Sequence, residues 1–130
     1  MCLTKNKNYH PLNRPLIAEE DIVCYKQVCP YTSGTYMTPY TNTIIPTKCI
    51  ENKVPFKAKI DKKFRFFCDH VLGTTIIAGD GFIHVYEYPQ YRFGWITFKC
   101  IIPKGTKYFI GNCGELAVRK IIFLEKVNCI

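Results

Sequence analysis

Eight cysteines (Cys2, Cys24, Cys29, Cys49, Cys68, Cys100, Cys113 and Cys129) and three histidines (His10, His70 and His84) are the side chains best suited to nucleophilic or metal chemistry. Their spacing supports neither. Structural zinc is usually held by two close pairs of ligands. Here Cys24 and Cys29 form the only close cysteine pair, and Cys68-Asp69-His70 is too compact to give more than one or two ligands. No metal and no cofactor are expected. A Cys/His nucleophile pair needs a thiol beside an imidazole, and no local signature singles one out. The thiols therefore read as reduced and mostly buried, where cysteine behaves as a small hydrophobe. The segment Met1–His10 has no apolar core of signal-peptide length, and no run reaches the length of a membrane-crossing helix. The expectation is a cytoplasmic chain with no membrane partner.

Charge and aromatic rings give a stronger signal. Eighteen Lys and Arg residues face ten Asp and Glu, a net charge of +8. Seven of the basic residues lie between Lys48 and Arg65 and seven between Arg92 and Lys126. A surface of this kind attracts anions. Tyr36 and Tyr40 lie in the hydroxyl-rich loop Tyr31–Pro46, and Lys57 and Lys59 share the polar face of Phe56–Ile60. His84 and Tyr86 follow the Gly81 turn. In Tyr91-Arg92-Phe93 and Trp95 a cation sits among rings, an arrangement suited to stacking a base while an arginine meets a phosphate. Lys104 and Lys107 belong to the lysine-bearing turn Pro103-Lys104-Gly105-Thr106-Lys107. Neither the dinucleotide fingerprint nor the Walker pattern occurs. The ligand expected for these residues is an anionic small molecule such as a nucleotide, or an acidic protein, bound at one cleft between the two basic stretches. A homo-oligomer is compatible with this reading.

The elements that must position these residues are strands. Ala and Leu are scarce, while Ile, Val, Thr, Tyr and Phe abound, and β-branched and aromatic side chains pack well on a pleated sheet. The expected fold is mainly β (β or α+β), a single compact antiparallel sheet or barrel-like domain with at most one or two short helices. Residues 1–20 are expected as a loosely ordered arm and residues 21–130 as the domain. Strands are predicted at Asp21–Val28, Phe56–Ile60, Thr74–Ala78, after Gly81, at Trp95–Ile102 and at Lys107–Ile110, and Lys63–Leu72 is read as a strand or a short helix. A last strand is predicted at Glu115–Lys126, buried on both faces, with Leu116, Val118, Ile122 and Leu124 on one side and Ile121 and Phe123 on the other.

The run from Cys100 through Pro103-Lys104-Gly105-Thr106 to Gly111, with Gly114-Glu115, Arg119–Ile122, Asp21–Lys26 and Gly81-Phe82, resembles a group of small proteins of tailed bacteriophages and gut Bacteroidetes. About half the chain takes part. Two features depart from that pattern: Ile83 separates Phe82 from His84, and Pro89 stands where the group has a helix. The resemblance implies a small phage-type protein of the host cytoplasm; with the charge and the aromatic rings, the expectation is a binder that holds an anionic ligand, such as a nucleotide-derived signal of host defence. The strand, the Pro-Lys-Gly turn and the late glutamate also look like the last part of ADP-ribosyltransferase folds. That likeness implies an alternative, an enzyme in which Glu115 positions a nicotinamide ribose with His84 nearby. A third expectation is a structural or host-protein-binding role through the basic face.

Overall fold

The computed structural model describes residues 2–4, 16–39, 43–58, 66–69, 73–77, 83–110 and 114–127. The chain is mainly β. Its strands are β1 (Cys2–Thr4), β2 (Leu16–Ile17), β3 (Ile22–Pro30), β4 (Tyr36–Met37), β5 (Ile44–Ile45), β6 (Phe56–Lys57), β7 (Phe66–Asp69), β8 (Gly73–Ile77), β9 (Ile83–Tyr86), β10 (Ile96–Ile102), β11 (Lys107–Ile110), β12 (Glu115–Val118) and β13 (Lys120–Val127). Helical structure among the described residues is limited to α1 (Thr47–Glu51) and a single 3-10 turn at Thr32–Gly34. All the strand pairs are antiparallel.

The larger sheet runs in the order β2-β11-β12-β9-β3-β10-β13-β6, with β4 and β5 attached beside β3, and β1-β8-β7 forms a smaller sheet. The expected Glu115–Lys126 strand is broken at Arg119 into β12 and β13. This one residue explains much of the architecture. Neighbouring Cα atoms are about 3.8 Å apart, so the facing ends of β12 and β13 must be close together. Along the sheet, however, β9, β3 and β10 lie between them. The sheet therefore curls on itself, as the barrel-like reading requires.

The break also corrects the expected side-chain alternation. Leu116 and Val118 are fully buried in β12, and Ile121 and Phe123 are fully buried in β13. Both pairs join one core, because the bend at Arg119 shifts the alternation by one residue. Ile122 and Leu124 are only half-buried, so burial on both faces holds for β12 and not for β13.

The first 20 residues are tied to the sheets where they are described. Cys2–Thr4 pairs with β8 and Leu16–Ile17 with β11. Ala18 is buried, donating to the Thr106 carbonyl and accepting from the Gly105 N–H. A short edge strand of this kind leaves little trace in sequence, because its register comes from its partner rather than from its own periodicity. Likewise the predicted loop Tyr31–Pro46 contains the β4–β5 pair.

The core is threaded by rings. Phe56 packs on Phe123, Phe123 meets Phe98 edge-to-face at 5.3 Å, and Phe98 meets Tyr36 edge-to-face at 5.3 Å. The four cysteines with described side chains are unbonded thiols, with Cys24, Cys49 and Cys100 buried and Cys29 half-buried. No helix among the described residues is long and apolar enough to cross a membrane.

Candidate functional site

The sequence-predicted residues fall into separate groups. Lys104 and Lys107 sit at the turn after β10. There Thr106 N–H donates to the Pro103 carbonyl, Gly105 takes a φ of 86°, and the Lys104 N–H donates to Asp21 Oδ1 at 2.8 Å. Arg92 and Trp95 lie at the opposite end of β10, about 20 Å away by the rise of an extended strand. The cations of the second basic stretch thus do not border one cleft. Lys57 is exposed on β6 at the sheet edge, opposite Lys120. Tyr40 and Lys59 lie outside the described residues.

His84, Tyr86 and Glu115 form a second group, on β9 and β12. Tyr86 is paired with Glu115, and His84 with Ala117, which places all four on one face of the sheet. His84 and Glu115 are buried, at 7% and 6% exposure. Neither ring nitrogen of His84 has a hydrogen-bond partner among the described residues. Burial, with the nearby Lys26 ammonium, pushes the imidazole down to about 3, so it is neutral at physiological pH.

Behind His84 lies a residue that the sequence reading does not single out. β3 and β9 share one bridge, Tyr25 with Tyr86, and then part. Lys26 points to the core side of β3, between Cys24 and Val28, and is 6% exposed. Its Nζ donates to the His84 carbonyl at 2.9 Å, satisfying a backbone acceptor where the two strands diverge. Burial pulls this amine down to about 8, opposed in part by the thiols of Cys100, Cys29 and Cys24.

The third group forms an open pocket of about 250 Å³, lined by Tyr91, Arg92, Trp95 and Thr97 on one side and by Lys126 and Val127 on the other. The loop between β9 and β10 is pinned at several points. Glu87 N–H donates to the Gly114 carbonyl, and the Thr97 hydroxyl donates to the Gln90 carbonyl. Gly114, at φ 79°, lies under the Tyr88 ring, where a Cβ would come within 2.6 Å of Tyr88 Cε1. The loop ends in a tight turn in which Trp95 N–H donates to the Arg92 carbonyl and Gly94 adopts φ 81°, as a type II turn requires at that position.

Within the pocket the Arg92 guanidinium stacks 4.2 Å from the Trp95 ring centroid. A stacked guanidinium keeps its donors in the plane of the group, directed away from the ring face and available to a carboxylate or phosphate. Across the pocket, the Lys126 ammonium lies 5.3 Å from the Tyr36 ring centroid, which links the site to the ring series of the core. Of the sequence-predicted residues, Arg92 and Trp95 therefore meet directly, and Tyr36 joins them through Lys126.

Lys126 itself reaches this position through a β-bulge. Phe98 pairs with Lys126 and Lys99 with Glu125, but Cys100 pairs with Phe123, so Leu124 is the extra residue on β13. The extra residue reverses the alternation and brings Lys126 to the side occupied by Phe98 and Phe123. The Leu124 carbonyl accepts from Lys53 Nζ, with Lys53 at the positive φ of 58°. Nothing local in the sequence marks such a bulge. No group of three or more potential metal ligands occurs among the described residues. No protein family, curated protein or solved structure matches the chain.

Proposed function

We propose that this protein is a non-enzymatic binder that holds a small anionic ligand carrying a planar ring, of the nucleotide class, in the Arg92–Trp95 pocket. The observation that carries the reading is the Arg92 guanidinium stacked at 4.2 Å on Trp95, with the Lys126 ammonium across a pocket of about 250 Å³. Tyr91, 48% exposed, offers a ring face beside the Trp95 ring that Arg92 covers, and two cations meet the phosphate. Charge-assisted hydrogen bonds of this kind are among the stronger ones available to a protein. The net charge of +8 raises the local concentration of any anion.

A melting screen against nucleoside monophosphates, cyclic nucleotides and nicotinamide dinucleotide tests the proposal. A ligand that binds only the native state at about a hundred times its Kd adds about 2.7 kcal/mol of stability. At least one nucleotide is expected to raise Tm by several degrees and to be recovered chemically intact after denaturation. Consumption of nicotinamide dinucleotide would favour the ADP-ribosyltransferase reading, and a flat screen would contradict the proposal.

A further inference from the structure

The turn that carries Arg92 also presents a ring that the pocket does not use. Phe93 is fully exposed at the apex of the 92–95 turn, and Tyr88 and Tyr91 on the same loop are each 48% exposed. The pinned ends of the loop and the Gly94 φ define the backbone of this apex, which presents the ring to solvent. A single nucleotide in the pocket leaves Phe93 in water. A ligand with further bases beyond the pocket would cover it.

We infer that the pocket is one end of a binding track for single-stranded nucleic acid, in which Arg92 and Lys126 meet backbone phosphates and successive bases stack on the Trp95 side and on Phe93. This inference rests on the nucleotide reading of the pocket. Rings interleaved with cations suit a single strand, because every base has a face to stack and every linkage a charge to meet. Net charge points the same way, at +8 over 130 residues. An anionic bilayer would also meet the charge, but it makes no use of a concave site with a guanidinium stacked inside it.

Fluorescence anisotropy with oligothymidylate and oligouridylate of about ten nucleotides, against thymidine and uridine monophosphates, tests the inference on the full chain. At least one oligomer is expected to bind about tenfold or more tightly than its monophosphate, with affinity falling as salt rises. The two arms separate DNA from RNA. Phe93→Ala should remove that surplus and leave monophosphate affinity within about twofold, Phe93→Trp should retain it, and Phe93→Leu should not, because stacking needs a ring. If oligomers bind no more tightly than monophosphates, or if Phe93→Ala changes neither, the track is overturned while the pocket reading stands. If neither oligomers nor monophosphates bind, the track is overturned, and the pocket reading falls with it when the melting screen is also flat. Binding to phosphatidylserine vesicles that is lost in Phe93→Ala, without oligomer binding, overturns the inference in favour of a membrane surface.

Discussion

Phe123→Ala is expected to destabilise the protein by about 3–5 kcal/mol, the cost of removing a fully buried aromatic ring and leaving a cavity that the sheet fills only in part. Phe123 has no exposed surface and sits between Phe56 and Phe98, with centroid distances of 6.0 and 5.3 Å. Its loss removes two ring contacts at once. Because domains of this size are stable by only about 5–15 kcal/mol, a single substitution would consume a large part of the margin. Urea unfolding followed by Trp95 fluorescence measures the effect, and Phe123→Leu, which refills most of the volume, should recover the larger part of the loss. A change below about 1 kcal/mol for the alanine variant would mean that the curled sheet does not close around this ring.

Stability is expected to rise with pH between about 8 and 9, the reverse of what titrating cysteines alone would give. Lys26 is held near 8 when folded and titrates at 10.5 when unfolded. Below pH 8 the amine is charged in both states, and the cost of burying it, about 3 kcal/mol, is carried in full. Between 8 and 10.5 the unfolded chain binds more protons than the native one, so rising pH relieves that cost. The buried thiols act with the opposite sign. Cys24 is pushed up to about 12 and Cys49 and Cys100 are also raised, all from 9.0, so unfolding releases their protons and stability falls above pH 9. His84, the other titratable group facing Lys26, is already neutral throughout this range. The two trends give a maximum near pH 9, with a slope below it of at most about 1.4 kcal/mol per pH unit.

Lys26→Met removes the titration and also leaves the His84 carbonyl without its donor, a loss of about 1–3 kcal/mol that largely offsets the relief. The variant should therefore differ little from the parent at pH 7 yet lose the climb between pH 8 and 9. Denaturant unfolding in reducing buffer at stepped pH reads both curves, and a climb that persists in Lys26→Met would assign it to another group.

Strand positions were largely legible because residue type and turn chemistry act locally. The Lys107–Ile110 strand and the Pro103–Thr106 turn follow from four or five residues each, and β3 and β10 lie within a residue or two of their predicted ends. What escaped the reading depends on partners far away in the chain. Arg119 looks like any other strand residue, yet the bend there decides that Ile121 and Phe123 rather than Ile122 and Leu124 enter the core. Leu124 becomes a bulge only against β10, so Lys126 could not be placed beside Tyr36 and Arg92 from sequence. Lys26 illustrates the same limit. Its alternation with Cys24 and Val28 puts it on the inner face, but the carbonyl that receives it belongs to a strand 58 residues later. Arg92 and Trp95 were legible as a pair because a tight turn with glycine at its third position joins them.

The charge pattern along the sequence does not translate into one place on the fold. Lys104 and Lys107 extend in sequence the basic run that begins at Arg92, but a strand separates them from it, and the far turn uses its backbone donors on Asp21 and Ala18. They would contribute to the general field around the protein rather than to contact with a ligand at the pocket.

Calorimetric titration of the parent and of Arg92→Ala with the nucleotide that gives the largest melting shift tests the pocket most directly. Arg92 is exposed, so its loss should leave the melting temperature of the free protein within about a degree of the parent, since surface substitutions usually cost little. Affinity is expected to fall at least about tenfold and the dependence of binding on salt to become shallower, as one charge-assisted contact is removed. An affinity within about twofold of the parent, with the fold intact, would contradict the pocket reading and place the ligand, if any, elsewhere on the molecule.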